Sequence, residues 1–156
     1  MNGSFRVSVW DPPLIISQIF ALQTIMYVSL GLWVLILHMI TGHPISLDAL
    51  FRYQEIQVKE VSGRLLIAAF VFNALVCALA LWAVVQRTKM CLDFTTTIHF
   101  FHLLFCWVYN GMFPTSAAWW LVQIICLTIT CVCAEFLCLR SEMKAIPLGL
   151  GSRVDL

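Results

Sequence analysis

Charged residues are scarce in this sequence: Asp, Glu, Lys and Arg together make up 11% of its 156 residues, whereas 62% are hydrophobic. A soluble domain carries about 25% charged residues, so this chain has too few to cover the surface of a soluble globule. The formal net charge is only +1, and no run of like charge marks a solvated tail or a nucleic-acid partner. The composition therefore indicates a membrane protein, and the length indicates one domain.

Cysteine is missing from two stretches, residues 41–64 and 110–116, although the chain contains seven cysteines. Non-cytosolic loops stabilised by disulfides would carry cysteines, so we expect most of these thiols to serve as small hydrophobic side chains inside helices. Cys91 and Cys138 lie at the expected cytosolic edge, where either S-palmitoylation or simple packing explains them. A signal-peptide cleavage site is not evident either, so the first apolar segment is expected to be retained.

Long apolar runs are what the sequence has instead. A hydrocarbon layer about 30 Å thick takes roughly 20 helical residues to cross. The segments long and apolar enough to do so are Leu14–Ile40, Leu65–Val85, Leu92–Tyr109 and Ala117–Leu139. We therefore predict an all-α fold, a polytopic bundle of four transmembrane helices within residues 1–149, followed by a mobile cytosolic tail, residues 150–156.

Local signals refine this bundle. Asp11-Pro12-Pro13 predicts a capped start for the first helix. Because few residues separate the second and third helices, we expect them to be antiparallel neighbours. In the loop of residues 41–64, Ser46 is expected to cap a short interfacial helix with Leu47, Leu50 and Phe51 on its apolar face.

Lysine and arginine are unevenly divided between the two sides of such a bundle. One side would hold Arg6, Arg87, Lys89, Arg140, Lys144 and Arg153. The other would hold Arg52, Lys59 and Arg64. Positive residues concentrate on the cytosolic side of membrane proteins, so both termini are predicted to be cytosolic.

The third segment carries a polar stripe on an otherwise apolar helix. Steps of four, three, four and three place its members on one face: Thr95, His99, His102, Cys106 and Tyr109. Ionisable residues inside a membrane are candidates for function, and two histidines with a thiol resemble part of a metal site. The other helices offer only Asn73 and Gln123 at that depth, so the stripe lacks further ligands.

The favoured interpretation is that polar side chains hydrogen-bond between helices and hold the bundle in register. The residues predicted to do so are Gln18, Asn73, His99, His102 and Gln123. We expect no catalytic residue, metal or cofactor, and hence no enzyme. Two alternatives stay open: a small transporter or ion pathway using Asp93, His99, His102 and Glu135, and a membrane metalloenzyme.

A series of short motifs also runs through the chain in order. It is densest at Cys91-Leu92-Asp93-Phe94-Thr95 and His99-Phe100-Phe101-His102-Leu103. It includes Val9-Trp10-Asp11-Pro12, Ser29-Leu30-Gly31-Leu32-Trp33, Trp119-Trp120-Leu121-Val122-Gln123 and Ile146-Pro147-Leu148. In this series the chain resembles the Sys family of eukaryotic Golgi membrane proteins, over about residues 5–148.

This resemblance implies a four-span trans-Golgi protein that recruits an Arf-related small GTPase with an acetylated N-terminus, and so supports vesicle tethering and protein trafficking. The implied partners are that GTPase and the lipid bilayer, and a homo-oligomer is compatible with the sequence. The candidate docking residues are Arg6, Trp10, Asp11, Arg87, Lys89, Asp93, Arg140 and Glu142. The simpler interpretation of the basic residues is that they set topology and contact anionic lipid headgroups.

Overall fold

Four long helices make up most of the computed structural model, which describes residues 11–42, 44 and 46–145. They are α1 (Pro12–Thr41), α3 (Val61–Val84), α4 (Cys91–Asn110) and α5 (Ala117–Ala145), while α2 is the short helix Asp48–Phe51. All regular structure in the described ranges is helical. Each long helix is long and apolar enough to cross a membrane, which confirms the predicted all-α bundle of four spans.

The first helix begins as its sequence predicts. Asp11 is the N-cap in an extended conformation, and its carboxylate accepts a 3.5 Å hydrogen bond from the backbone N–H of Leu14. Pro12 and Pro13 fill the first helical positions, where a missing N–H costs nothing because no intrahelical acceptor is present. The helix ends at Gly42, whose φ of 72° lets its N–H donate to the His38 carbonyl at 2.8 Å.

Two helices extend four or more residues beyond one end of their apolar runs. The helix α3 starts at Val61 instead of Leu65, and α5 continues to Ala145 instead of ending at Leu139. A hydrogen bond ties the extension of α5 to α3: the indole N–H of Trp82 donates to Ser141 Oγ at 2.8 Å. Arg140, Ser141, Glu142 and Lys144 therefore lie on a helix, whereas the predicted mobile tail, residues 150–156, lies outside the described residues.

The order of helices around the bundle differs from the prediction. The first and last spans, α1 and α5, each pack against both α3 and α4, whereas α3 and α4 lie across the diagonal. The expected neighbour relation between the second and third spans is therefore wrong. The reason is the path of the segment that joins them, residues 85–90, which we call the connector.

The connector crosses beneath the end of α5 instead of turning back directly. Gln86 has a φ of 54°, which redirects the chain after α3. Thr88 then binds Glu142 on α5 twice, through its N–H at 3.2 Å and its hydroxyl at 2.9 Å. The chain thus enters α4 on the far side of α5, at the end of the bundle where α1 begins and α5 ends. We call this the connector end.

Residues 46–60 close the opposite end, which we call the loop end. The short helix α2 has Leu47 at its N-cap and no side-chain cap, so the expected capping by Ser46 is wrong. The expected short helix forms, with Leu50 and Phe51 packed against the core and Leu47 exposed. The residues that follow it bury Tyr53 and Ile56 in the core. A hydrogen bond of 2.6 Å from the Tyr109 hydroxyl to Asp48 ties α2 to α4.

The apolar core has two parts. Leu22, Leu81 and Ile98 belong to the part toward the connector end, and Leu30 and Trp119 belong to the part toward the loop end. Between them lies a set of polar side chains from all four spans, which we call the polar layer. Its members are Tyr27, Asn73, His99, His102, Gln123 and Thr130.

Candidate functional site

The polar stripe of α4 points into the bundle for most of its length. Thr95, His102 and Cys106 are buried, His99 is half-buried, and Tyr109 emerges at the loop end. The helical spacing read from the sequence therefore places three of its five members in the interior.

His102 links two spans at the centre of the polar layer. Its Nδ1 lies 3.0 Å from the hydroxyl of Tyr27 on α1, and its Nε2 lies 3.5 Å from the thiol of Cys106. The rings of Phe70 and Trp119 pack around it, with centroids 6.1 and 6.3 Å away. Both ring nitrogens have neighbours and the ring is enclosed by aromatic groups, so this histidine serves as a buried contact between α4 and α1.

Two other residues predicted to hold the bundle in register make hydrogen bonds between α1 and α3. The side-chain amide of Gln18 donates to the Val84 carbonyl at 3.1 Å. The amide of Asn73 donates to the Met26 carbonyl at 3.4 Å. Both bonds run between helices, from a side chain to a backbone oxygen.

His99 and Gln123 do not make the expected bonds between helices. His99 Nδ1 donates to the Thr95 carbonyl of its own helix at 2.9 Å. Gln123 is buried, and its Nε2 has no hydrogen-bond partner among the described residues. The expectation of direct contacts for these two residues is therefore corrected.

Tyr27 and Thr130 are members of the polar layer that sequence reasoning missed. The Tyr27 hydroxyl reaches His102, and the Thr130 hydroxyl donates to the Ala74 carbonyl at 3.2 Å. The signal for Tyr27 was its mid-helix position, since tyrosine usually lies at the membrane boundary. Thr130 bonds to a backbone oxygen on another helix, which no spacing rule reveals.

A cavity of about 20 Å³ lies inside the polar layer. Asn73, His99, His102, Gln123 and Thr130 line it together with apolar side chains. This volume fits one water molecule. Among the described residues, no three or more His, Cys, Asp or Glu side chains converge as metal ligands, so the metalloenzyme alternative has no assembled site there.

The alternative of an ion pathway also loses its geometric basis. Asp93 is exposed in the first turn of α4. Glu135 lies on α5 and accepts a 3.5 Å contact from the thiol of Cys131. Neither side chain lines the cavity that His99 and His102 share, so the four residues do not form one polar path.

The connector end carries a second candidate site. The residues we call the connector surface combine exposed charges with one apolar face of α5: Arg87, Lys89, Asp93, Phe136, Leu139, Arg140, Glu142, Met143 and Lys144. The two bonds from Thr88 to Glu142 place the connector beside the last turns of α5. Positive charges that are distant in the sequence are thereby brought to one end of the bundle.

The connector surface includes most of the predicted docking residues. Asp11 is exposed at the same end and caps α1, whereas Arg6 and Trp10 lie outside the described residues. Within the described ranges the ion pair is Arg52 with Asp48 at the loop end, so the cations of the connector surface remain unpaired there. Sequence reasoning missed its apolar part, although the spacing of Phe136, Leu139 and Met143 on α5 was a readable signal.

The comparison with known proteins bears on the whole chain. The family profile described as "Integral membrane protein S linking to the trans Golgi network" matches residues 5–148. A SYS1 homolog of Nematostella vectensis is 51% identical over 152 residues, which cover 97% of this chain and 96% of that protein. The chain belongs to the SYS1 family.

More distant SYS1 proteins match over less of their length. A homolog of Dictyostelium discoideum is 36% identical over 97% of this chain and 65% of its own length. Protein SYS1 of Saccharomyces cerevisiae is 25% identical over 78% of this chain and 60% of its own length. No solved structure matches the chain.

Membership of the SYS1 family confirms the predicted location. The protein is a multi-pass integral membrane protein of the Golgi, linked to the trans-Golgi network. The family match runs through all four spans and through the connector. Both candidate sites therefore lie inside the region that the SYS1 family shares.

The cysteines of this SYS1 protein pack inside the bundle. All seven are free thiols. Cys91 and Cys138 are buried with their sulfur atoms 3.6 Å apart, between α4 and α5. Their burial favours the packing interpretation over S-palmitoylation, which needs an accessible thiol.

Proposed function

We propose that the protein is a Golgi membrane receptor that recruits an Arf-related small GTPase with an acetylated N-terminus, and so supports vesicle tethering and protein trafficking. The observation that carries this proposal is the connector surface. It combines cations that have no ion-pair partner within the described part of the chain with an exposed apolar face, at the predicted cytosolic end of the bundle. Membership of the SYS1 family supports the Golgi setting in which such a partner would be recruited.

The rest of the molecule is less suited to such a partner. The loop end holds a cavity of about 370 Å³, but no lysine or arginine is among the described residues that line it. The interior cavity has room for one water molecule. At the loop end, Tyr109 and Asn110 of α4 bind the segment of α2, through Asp48 at 2.6 Å and the Phe51 carbonyl at 2.8 Å. That end is thus occupied by the chain's own loop, whereas the connector end presents its side chains outward.

The geometry of the connector surface suits an amphipathic segment lying along the membrane boundary. Leu139 and Met143 are exposed on α5, with Arg140 and Lys144 beside them. An amphipathic helix binds such a surface through its apolar area together with electrostatic contacts. Because Thr88 holds Glu142 at 2.9 Å, the backbone that carries Arg87 and Lys89 is held against the end of α5.

The test is localisation of the GTPase in cells that carry the double variant Arg87→Glu with Lys89→Glu. We expect the GTPase to leave the Golgi because the double variant removes the basic contacts that Arg87 and Lys89 offer to its N-terminal segment. The matched control is Lys59→Glu with Arg64→Glu, two exposed cations at the loop end, which should leave recruitment unchanged. A glycosylation-tag assay checks that neither variant inverts the protein in the membrane.

Two results would contradict the proposal. The first is retention of the GTPase on the Golgi in cells that lack this protein entirely. The second is normal recruitment by a correctly oriented Arg87→Glu, Lys89→Glu variant that is present at wild-type level. Either result would leave the connector surface with a role in topology or lipid contact only.

A further inference from the structure

The polar layer contains two buried groups whose hydrogen-bonding needs are complementary but unmet. Asn73 is 4% exposed, and its Oδ1, an acceptor, has no partner among the described residues. Gln123 is 9% exposed, and its Nε2, a donor, likewise has none. Leaving such a group unsatisfied in an apolar interior destabilises the folded state. Both residues line the same cavity.

His99 adds a third group to this cavity. Its Nδ1 faces the Thr95 carbonyl at 2.9 Å, and a carbonyl only accepts hydrogen bonds, so Nδ1 carries the proton. In a neutral imidazole the other nitrogen is then an acceptor. The Nε2 of His99 therefore calls for a donor, as Asn73 Oδ1 does, whereas Gln123 Nε2 calls for an acceptor.

We propose that one water molecule is bound in this cavity and bridges α3, α4 and α5. It donates one hydrogen to Asn73 Oδ1 and the other to His99 Nε2, and it accepts a hydrogen bond from Gln123 Nε2. Buried waters typically make about three such bonds. The cavity of about 20 Å³ exceeds the roughly 10–15 Å³ that one water needs.

Neighbouring groups do not compete for this water. The amide of Asn73 already donates to Met26, and the hydroxyl of Thr130 donates to Ala74. His102 has the Tyr27 hydroxyl and the Cys106 thiol beside its two nitrogens.

The water would complete the polar layer as a connection among all four spans. Asn73 bonds to α1 directly, and the bridge carries the connection on to α4 and α5. Such a contact disfavours sliding or rotation of one helix against another, because any shift would leave polar groups unpaired. The proposal concerns the interior alone and does not depend on recruitment of a GTPase at the connector end.

The direct test uses the full-length protein with ¹⁵N-labelled glutamine and asparagine in lipid nanodiscs. We expect a cross-relaxation peak between the Gln123 side-chain amide protons and a long-lived water. That peak should disappear in Asn73→Leu, which removes one of the water's partners. Absence of the peak in the wild-type protein overturns the proposal, and this measurement stands even if a variant fails to fold.

A thermal double-mutant cycle provides the second test. Asn73→Leu and Gln123→Leu should each lower the melting temperature, but the double variant should fall by little more than the larger single loss. Groups that share a partner couple in this way, whereas independent sites add. The matched control is Asn73→Leu with Gln18→Leu, because Gln18 bonds directly to Val84, and these losses should add.

Two outcomes of these measurements count against the bridge. If the losses of Asn73→Leu and Gln123→Leu add as the control pair does, the two side chains share no water. If elemental analysis finds one metal ion per chain that is lost in His99→Leu, the cavity binds an ion instead. Non-additive losses together with the water peak support the proposal.

Discussion

Gly63 offers the sharpest test of how the loop end closes. It lies buried in the first turn of α3, where the backbone of Gln57 runs directly over it. A Cβ added at this position would lie 2.7 Å from the Gln57 nitrogen and 2.8 Å from its carbonyl carbon, and closer still to its carbonyl oxygen. Side-chain carbons do not approach backbone atoms this closely, so Gly63→Ala must displace the loop.

The size of the effect follows from what must move. The atoms in the way belong to the backbone, and the neighbouring Ile56 is buried at 3% exposure, so the loop cannot swing aside freely. Overpacking of this kind costs about 1–3 kcal/mol, and the rigid partner places Gly63→Ala near the upper end. Alanine regains about 1 kcal/mol of helix propensity, which leaves a net loss of about 2 kcal/mol.

The assay is thermal unfolding of the purified full-length protein in detergent. A loss of about 2 kcal/mol corresponds to a melting temperature lower by about 4–8 °C for a chain of this size. The matched control is Gly31→Ala in α1, where an added Cβ meets nothing within 4 Å. Alanine there should raise the melting temperature slightly, because only the propensity gain remains.

The refuting result is a Gly63→Ala variant at least as stable as the wild type. It would mean that the loop does not lie against the start of α3, and that the burial of Tyr53 and Ile56 needs another explanation. Limited proteolysis between α2 and α3 provides an independent readout. The loop should be cut faster in Gly63→Ala than in the wild type if the added methyl group lifts it from the helix.

Three further predictions follow from the contacts between spans. Mild oxidation of the full-length protein should form a disulfide between Cys91 and Cys138, whose thiols lie 3.6 Å apart. Peptide mapping detects this bond, and preferential pairing of Cys91 with another cysteine would contradict the proximity of α4 and α5. Tyr27→Phe removes the hydroxyl that bonds to His102 and should lower stability by about 0.5–1.5 kcal/mol; an unchanged melting temperature argues against that bond. Glu142→Ala releases the connector from α5, so trypsin should cut it faster than in the wild type, and an equal rate shows that the two bonds do not restrain it.

The number of spans and the start of the first helix could be read from the sequence because both depend on local properties. A run of about 20 apolar residues has its own reason to form a helix in lipid, since every backbone group must be paired within the segment. Asp11 and the prolines after it cap α1 through bonds within one turn. The stripe of α4 likewise followed from helical spacing, which placed Thr95, His102 and Cys106 in the interior.

Contacts between segments decided the rest. The short connector suggested that the second and third spans are neighbours, yet Gln86 and the bonds from Thr88 to Glu142 carry the chain beneath α5 and set these spans on the diagonal. The residues that restrain the connector lie 54 positions apart in the chain. Neither composition nor periodicity describes such a pair.

The polar layer shows the same division. The sequence by itself determined that α3, α4 and α5 carry polar groups at mid-depth, because few such residues occur in the spans, but it did not single out Tyr27 on α1. Only the tertiary structure decided their partners: Gln18 and Asn73 reach the backbone of a neighbouring helix, whereas Gln123 faces a small cavity. The physical reason is that a hydrogen bond depends on distances of a few tenths of an ångström between helices, and the packing of apolar side chains throughout the bundle sets those distances.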